Sequence, residues 1–375
     1  LPPTPSAPAP APVAAISPSP APAAPAAEEP ADDEEPADTT PAADEPEPSK
    51  VGHVFVIALT GTGVEQTFGD ASPAPYLAGE LRPKGALLDN YTPLDKSDLT
   101  NYIALASGQP ANEDTRAECA TYRDFGSDAK VDKKGIVSGD GCVYPNTVLT
   151  LGDQVTSSGH SWRAYAEDMD KGEDPAVTCR RPDLPSEDPT LVGRPADQYA
   201  TRHNPFVYFH SLLDLSDCLA NDLTLATLTT DLESERTTPN LSFIAPNLCN
   251  SGTEAPCADG RPGGLPEADK FLQEWVPRIM ASKAYKKDGL IMITFLSSAV
   301  TGAGVPPSDA AADAPPPRTG VLLLSKFAKA GGTSYAPYSP FSLLRSIEDL
   351  FALKPLAKAA KASSFAESVL PKAFG

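Results

Sequence analysis

One short stretch of the sequence lies where an α/β protein would bind a phosphate group. The glycine-rich segment "TGTG" at residues 60–63 directly follows an unbroken apolar run at residues 54–59, which predicts a buried parallel strand. Ligands bind at the carboxyl ends of such strands, and backbone N–H groups of a glycine-rich loop can hold a phosphate. The spacing matches neither a P-loop nor a dinucleotide fingerprint, so we interpret the segment as a flexible loop.

The four histidines are a second set of candidate ligands. They are His53, His160, His203 and His210. His203 and His210 flank an apolar run and could share a metal, but the sequence shows no further ligands for such a site. We therefore expect a structural or surface role for each histidine.

The cysteines are arranged like a disulfide framework. None lies in a CxxC pair or at zinc-site spacing from a histidine, so we expect three disulfides in a chain exported to an oxidising compartment. Order along the chain suggests the pairs Cys119–Cys142, Cys179–Cys218 and Cys249–Cys257. Six cysteines allow about fifteen pairings, so this order is a hypothesis.

The amino-terminal segment, residues 1–49, differs from the rest of the 375-residue chain. It is almost entirely Pro, Ala, Ser, Thr, Asp and Glu, and residues 1–50 hold ten acidic side chains and one basic side chain. We expect a disordered Pro/Ala-rich spacer that serves either as a stalk or as a solubilising tail. Because the chain begins at Leu1 without an initiator Met, we also expect that a signal peptide has been removed.

Charge and hydropathy exclude two kinds of partner. The formal net charge is −20, and an acidic balance argues against nucleic acid and anionic membrane. The chain has no apolar run of about 18 residues, so it has no predicted transmembrane segment.

From residue 50 onward, apolar strands alternate with amphipathic helices. Strands are predicted at residues 53–59, 86–88, 161–169, 241–247, 289–297 and 320–325. Helices are predicted at residues 75–82, 101–106, 147–157, 223–234, 267–282 and 341–353, with surface loops at 260–266 and 302–318. The alternation predicts one α/β domain at residues 50–375, with a mostly parallel sheet and helices on both faces.

Several phrases resemble one family. In chain order they include "HVFVIALTGTGVEQTFG", "LTNYIALASG", "RHNPFVYF", "PNLSFIAPNLCN" and "YSPFSLLRSIEDLF". They resemble the bacterial phosphoesterase family, the acid phosphatases and phospholipases C of the alkaline-phosphatase superfamily, over residues 53–353. The resemblance implies a three-layer α/β/α sandwich and metal-assisted phosphoryl transfer, in which a hydroxyl nucleophile and the phosphate are stabilised by divalent metal.

The nucleophile region of the family corresponds to "SDLTNY" at residues 97–102. The hydroxyl position then falls on Asp98, with Ser97 one residue earlier, and Asn101 keeps a residue that contacts a phosphoryl oxygen in relatives. A carboxylate can accept a phosphoryl group, but we favour the simpler role of Asp98 as a cap for a helix starting near Leu99 or Thr100.

The metal-binding positions of the family are all changed in this sequence. The Glu-Asn position after the first strand holds Thr60 and Gly61, neither of which is a good ligand for a hard cation. The Asp and His of the next motif, the acidic pair after a later strand and the final His are replaced by Ser251, Thr253, Glu254, Leu296, Ser297 and Pro340.

Two functions follow from this comparison. The first is an exported, catalytically degenerate phosphoesterase-like protein, secreted or bound to a bacterial cell envelope. It would need no metal or cofactor and would bind an unidentified protein or a small phosphorylated ligand. The second is an active phosphoric-ester hydrolase with a rearranged site around Ser97, Asp98 and Asn101, which would require a divalent metal.

Overall fold

The apolar run after residue 52 forms the centre of the main sheet. It is β1, His53–Leu59, and all seven of its residues are buried. β1 pairs in parallel with a strand on each side, Leu241–Ala245 and Gly289–Phe295. A strand covered on both faces and at both edges needs apolar side chains throughout, which is why its sequence does not alternate.

The computed structural model describes residues 49–173, 175–252, 254–297 and 315–374. The predicted spacer lies outside these residues except for Ser49, and so does most of the predicted loop at 302–318. The strands of the described residues are β1 (His53–Leu59), β2 (Ala86–Leu88), β3 (Thr121–Tyr122), β4 (Lys130–Val131), β5 (Val137–Ser138), β6 (Trp162–Ala166), β7 (Ser186–Glu187), β8 (Asp222–Thr224), β9 (Leu241–Ala245), β10 (Gly289–Phe295), β11 (Val321–Leu324) and β12 (Thr333–Ser334).

Eight of these strands form one sheet, in the order β12-β2-β11-β10-β1-β9-β6-β8. β11 is antiparallel to both of its neighbours. The other neighbouring strands pair in parallel. The prediction of a mostly parallel sheet is therefore confirmed, with one reversed strand that its apolar sequence could not reveal.

The helices connect these strands and cover the sheet. They are α1 (Val64–Phe68), α2 (Asp98–Ser107), α3 (Glu113–Arg116), α4 (Leu151–Ser157), α5 (His210–Leu213), α6 (Asp217–Asn221), α7 (Ala226–Asp231), α8 (Leu248–Ser251), α9 (Leu265–Ala281), α10 (Lys283–Asp288), α11 (Pro340–Leu350) and α12 (Ala366–Val369). Single turns of π- and 3₁₀-helix occupy Tyr76–Leu81, Arg82–Lys84, Thr201–His203, Pro205–Tyr208, Ala357–Lys361 and Pro371–Ala373. None of the described helices combines the length and apolarity needed to cross a bilayer.

Two separate apolar cores lie on the two faces of the sheet. Val54, Val56 and Ala58 of β1 belong to the core that includes residues of α2, α4 and α11. The intervening residues of β1 belong to the core that includes residues of α7 and α9. Because successive side chains of a strand point to opposite faces, helices cover both faces of the sheet, as expected for a three-layer α/β/α sandwich.

Two predicted helices differ in the structure. The predicted helix at residues 223–234 is wrong at its start, because Asp222–Thr224 forms the edge strand β8 and only Ala226–Asp231 is helical. The predicted helix at residues 75–82 is a π-helical turn at Tyr76–Leu81 followed by a 3₁₀ turn. Leu223 and Thr224 fit either a strand or a helix, and pairing with β6 decides the outcome.

Candidate functional site

The candidate site lies at the carboxyl ends of β1, β9 and β10. β1 and β10 are in register from His53 opposite Gly289 to Leu59 opposite Phe295, so the residues that follow both strands meet at one edge. Helix α2 begins there at Asp98 and ends at Gly108, whose φ of 72° suits a glycine that terminates a helix. Tyr102 of α2 joins the helix to β1 by donating a hydrogen bond of 2.8 Å to the carbonyl oxygen of Ala58.

Five of the positions singled out from the sequence are joined by hydrogen bonds. Thr60 Oγ1 donates to Ser251 Oγ at 3.1 Å, and Thr60 N donates to the Ser251 carbonyl oxygen at 2.9 Å. Gly61 N donates to the Ser297 carbonyl oxygen at 3.0 Å, and the Ser297 hydroxyl donates to Asp98 Oδ1. The structure therefore brings Thr60, Gly61, Asp98, Ser251 and Ser297 into one buried network.

The segment at residues 60–63 is not an open phosphate loop. The N–H groups of Thr60 and Gly61 are both used within the network, and Val64 N donates to the Arg318 carbonyl oxygen at 2.8 Å. Residues 60–63 form neither a helix nor a strand, helix α1 follows at once, and hydrogen bonds hold the loop at both ends. That the loop is flexible stays a prediction.

Asp98 is the best-connected side chain of the site. Its Oδ1 accepts from Ser297, and its Oδ2 accepts from His203 Nε2 at 3.0 Å and from Arg202 Nε at 3.3 Å. Only 4% of Asp98 is exposed. Burial would raise the pKa of its carboxyl group, but the hydrogen bond and charge of His203 and the charge of Arg202 outweigh burial and lower this pKa to about 2.

Glu118 occupies the amino terminus of α2. Its Oε1 accepts from Asp98 N at 2.7 Å and its Oε2 accepts from Leu99 N at 2.8 Å. Burial and the nearby charge of Asp98 raise the pKa of Glu118 to about 8, against the opposing effects of Arg202 and the two N–H groups. We call Asp98, Glu118, Arg202, His203 and Ser297 the Asp98 cluster.

The predicted capping role of Asp98 is therefore wrong. Asp98 is the first residue of α2, and Ser97 at the cap position makes no capping hydrogen bond with its side chain. The first N–H groups of the helix are satisfied by Glu118 instead, which the sequence did not suggest because Glu118 lies twenty residues further along the chain.

Asn101 and Ser97 serve the turn before α2. Asn101 Oδ1 accepts from Leu94 N at 2.7 Å, and its Nδ2 donates to the carbonyl oxygens of Asp95 and Ser97 at 2.8 and 2.7 Å. Asn101 is fully buried, so its amide is committed to local structure. The Ser97 hydroxyl oxygen is buried and has no hydrogen-bond partner.

The remaining predicted positions have different surroundings. Leu296 is in the apolar core, and its N–H donates to the Leu59 carbonyl oxygen at 2.8 Å. Pro340 is the first residue of α11, which packs against α2, and no hydrogen bond of the described residues links it to the Asp98 cluster. Glu254 is close enough to Arg202 for their charges to interact, while burial raises the pKa of its carboxyl group. Thr253 lies outside the described residues.

The histidines occupy separate places. His53 Nδ1 pairs with Asp288 at 2.5 Å, His160 is exposed beside Phe351, and His210 contacts Asp124 and Asp214. His203 belongs to the Asp98 cluster, so it and His210 do not share a site. Its Nδ1 faces the Pro246 carbonyl oxygen at 3.3 Å, and its ring stacks on Tyr102 with 5.2 Å between ring centroids.

Arg202 and His203 are functional-site residues that sequence reasoning did not place. Their signal was the phrase "RHNPFVYF", which resembles the family but was interpreted as framework. Arg202 also donates from Nη1 to the Leu191 carbonyl oxygen at 2.9 Å, so the cation is held on two sides.

The three predicted disulfides are confirmed. Cys119–Cys142, Cys179–Cys218 and Cys249–Cys257 have Cα atoms 5.9, 5.4 and 5.0 Å apart. In the described residues, the two groups of side chains that lie close enough to share a metal each contain a disulfide-bonded cysteine pair, with Asp222 or Asp259. A disulfide has no thiolate to offer a metal, and neither group includes a residue of the Asp98 cluster.

Comparison with known proteins identifies the family. The model of the Phosphoesterase family matches residues 70–354 of this chain.

The chain belongs to the Phosphoesterase family. This phosphoesterase-family chain is 23% identical over 241 residues to a "Probable acid phosphatase" of Kluyveromyces lactis, a match that covers 64% of the chain and 46% of that protein. It is 24% identical over 216 residues to a "Phosphate-repressible acid phosphatase" of Penicillium chrysogenum, covering 58% of the chain and 42% of that protein. The chain thus spans less than half of the length of either relative.

Solved structures show a similar fold. The protein described as "Ps i-CgsB" superposes with a TM-score of 0.50 and 10% identity, covering 86% of this phosphoesterase-family chain and 76% of that protein. A protein in the alkaline phosphatase superfamily from Vibrio parahaemolyticus gives a TM-score of 0.47 at 10% identity, with 84% and 72% covered. The predicted α/β sandwich with a mostly parallel central sheet is confirmed as a fold.

The residues of this chain do not fit the divalent metal that the family resemblance implies. Asp98 is the carboxylate at the centre of the cluster, and both of its oxygens already accept hydrogen bonds from Ser297, His203 and Arg202. The Glu-Asn position after β1 holds Thr60 and Gly61, which offer one hydroxyl group. A hard divalent cation needs several free oxygen ligands, whereas the carboxylate of this cluster is surrounded by hydrogen-bond donors, one of which is the Arg202 cation.

Proposed function

We propose that this chain is a non-hydrolytic member of the Phosphoesterase family that acts as an exported binding or scaffold module. The observation that carries the proposal is the occupation of the nucleophile position by Asp98, whose two oxygens are engaged by Ser297, Arg202 and His203. A nucleophile has to present a free electron pair to the phosphorus atom. A carboxylate that is buried, hydrogen-bonded at both oxygens and held at a pKa of about 2 is a weak nucleophile.

The occupied end of α2 supports the same proposal. A phosphoryl group bound at a helix amino terminus would accept hydrogen bonds from the first N–H groups. In this chain the carboxyl group of Glu118 accepts them from Asp98 and Leu99. The protein thus places its own acidic side chain where an anionic substrate would bind.

The chain's location is part of the proposal. Three disulfides among the described residues favour an oxidising compartment, because cytosolic reductants keep most thiols reduced. A secreted or cell-envelope location and a bacterial source stay predictions of the sequence, as does an unidentified protein or small phosphorylated ligand as the partner.

One observation favours the alternative of an active hydrolase. The hydroxyl oxygen of Ser97, the residue before Asp98, is buried and has no hydrogen-bond partner among the described residues, so it is not held as the side chains of Asp98 and Asn101 are. Asn101 argues against this alternative, because its amide is used entirely by residues 94–97.

A turnover assay separates the two functions. Purified full-length chain would be assayed with an aryl phosphate and with a phosphatidylcholine substrate in the presence of Mg, Ca, Mn or Zn, alongside an active acid phosphatase and with metal content measured. We expect no turnover above a buffer control and no stoichiometric metal. Turnover by the wild-type chain that is lost in Ser97→Ala or Asp98→Ala, with folding of the variants verified by circular dichroism, would contradict the proposal.

A further inference from the structure

A cavity lies at the far end of α2 from the Asp98 cluster. Its volume is about 780 Å³, which is within the range of about 300–1,000 Å³ typical of small-molecule sites. Ser107, the last residue of α2, lines it, whereas Asp98 at the first residue belongs to the candidate site. Ten helical residues separate the two sites by about 15 Å along the axis.

Five lysines line this cavity, namely Lys133, Lys134, Lys354, Lys358 and Lys361. They are five of the 17 lysines in a chain whose net charge is −20, and no lining residue is Asp or Glu. None of the five forms an ion pair with a carboxylate of the described residues, although the exposed Asp132 is close enough to interact with Lys134 and Lys358. Cations gathered around one cavity in an acidic protein create a local field that attracts an anion.

The wall between the lysines is apolar. Ile136, Leu149, Leu353 and Leu356 line the cavity together with several alanines and Pro355. Leu149 is 48% exposed, which leaves apolar surface in contact with water. Lysines at the rim and apolar side chains at the wall suit a ligand that has both an anionic group and an apolar group.

The cavity is held in shape by hydrogen bonds from buried or half-buried side chains. The Gln109 amide donates to the Gly135 carbonyl oxygen at 2.6 Å and accepts from Val137 N at 3.0 Å, which fixes the β4–β5 hairpin to the end of α2. Glu348 accepts from Leu356 N at 2.7 Å, and this bond fixes the opposite wall. When a site already has the shape that it needs for binding, little binding free energy is lost to ordering its side chains and loops.

We infer that this cavity binds an amphipathic anion, a small molecule with an apolar chain and a carboxylate or phosphate head. The chain lies against Leu149, Leu353 and Leu356, and the head is held by the lysine rim. The five cations are lysines, which act as point charges without the planar fork of arginine, so they accept either head group.

Isothermal titration with four probes tests the inference. The probes are octanoate, octyl phosphate, octyl glucoside as a neutral amphiphile, and inorganic phosphate as an anionic head alone, each below its micellar concentration. We expect octanoate or octyl phosphate to bind one site per chain with a Kd at least about tenfold lower than either control probe. The better of the two identifies the head group, and binding should weaken as salt is added.

Variants locate the binding site. Lys354→Gln/Lys358→Gln/Lys361→Gln should raise the Kd of the anionic amphiphile at least about tenfold, because three rim charges are removed. Leu149→Ser should also raise it. The matched control Lys84→Gln/Lys286→Gln/Lys329→Gln changes three exposed lysines elsewhere and should leave binding unchanged.

Three results would overturn the inference. The first is failure of both anionic amphiphiles to bind the wild-type chain. The second is equal binding of octyl glucoside or inorganic phosphate. The third is equal weakening in the control triple variant, which would indicate a response to net charge alone.

Discussion

The hydroxyl group of Ser297 donates a hydrogen bond to the carboxylate of Asp98, joining two positions that are 199 residues apart in the sequence. Ser297 follows β10 and Asp98 begins α2, so the bond ties the sheet to the helix that covers it. The same carboxylate accepts hydrogen bonds from Arg202 and His203, so it connects α2 to two other segments of the chain. We therefore expect the loss of the Asp98 carboxylate to reduce the stability of the fold, whatever its effect on any reaction.

Asp98→Ala should lower the free energy of unfolding by about 3–5 kcal/mol, because it leaves the buried guanidinium of Arg202 without its carboxylate. Urea denaturation at pH 7 measures this loss. The exposed Asp70→Ala is the matched control and should change the free energy by less than about 0.5 kcal/mol. The double variant Asp98→Ala/Arg202→Met should recover part of the loss, and a double variant less stable than Asp98→Ala would contradict the argument.

Glu118→Ala should free the first N–H groups of α2 and cost about 1–3 kcal/mol of stability. The freed helix end should then bind inorganic phosphate. Thermal unfolding in phosphate and in chloride of equal ionic strength measures the gain, which we expect to be about 1–2 kcal/mol at phosphate ten- to twentyfold above its Kd. Wild-type chain and the exposed Glu113→Ala should not respond, and an equal response of all three proteins would show that the helix end is not the site.

Glu348→Gln should flatten the dependence of stability on pH. Burial raises the pKa of Glu348 to about 8 in the folded protein, above an unfolded value near 4.5. A carboxyl group with a raised pKa contributes stability that is fully present below about pH 4.5 and is lost as pH rises through about 8. The amide of Gln cannot ionise and keeps an oxygen for Leu356 N.

Chemical denaturation at pH 5, 6.5 and 8 tests this prediction. The stability of Glu348→Gln relative to wild type should increase with pH, by up to about 1.4 kcal/mol per pH unit. The exposed Glu367→Gln should run parallel to wild type. If the stability of Glu348→Gln also changed with pH in parallel with wild type, Glu348 would have to be ionised throughout this pH range.

Cys119→Ser/Cys142→Ser should reduce stability by about 3 kcal/mol, because this disulfide closes a loop with a sequence separation of 23. Loss of the disulfide should also weaken the hydrogen bonds that the neighbouring Glu118 accepts from the amino terminus of α2. Cys249→Ser/Cys257→Ser opens a loop with a separation of 8 and serves as the comparison. Hydrogen exchange at Asp98 N and Leu99 N should become faster in the first double variant. Unchanged exchange at these two groups would show that the disulfide does not help Glu118 to hold the amino terminus of α2.

Much of the fold could be predicted from the sequence because it depends on local patterns. The unbroken apolar runs at β1 and β10 and the apolar stripe of α9 each identify one element without knowledge of its neighbours. The edge strand β8 could not be predicted, because its three residues take their conformation from pairing with β6. The reversed direction of β11 is likewise a property of the sheet and not of the strand.

The candidate site was predictable only in part. The resemblance located Thr60, Asp98, Ser251 and Ser297, because each lies in a recognisable phrase of the family. Glu118 could not be predicted, because its role depends on a left-handed backbone with φ of 56° beside Cys119 and on the approach of its loop to α2. Contacts between residues that are far apart in the chain produce no periodic pattern in the sequence.

Under the proposed non-hydrolytic function, the position of Glu118 also bears on how hydrolysis could be introduced by mutation. Metal ligands placed at residues 60, 61, 251 or 297 would leave the carboxyl group of Glu118 on the N–H groups that a phosphoryl group would need. Replacing residue 118 would free those N–H groups, but that change alone would reduce stability. Both kinds of substitution would therefore be needed together, and a design that makes only one of them should yield no turnover.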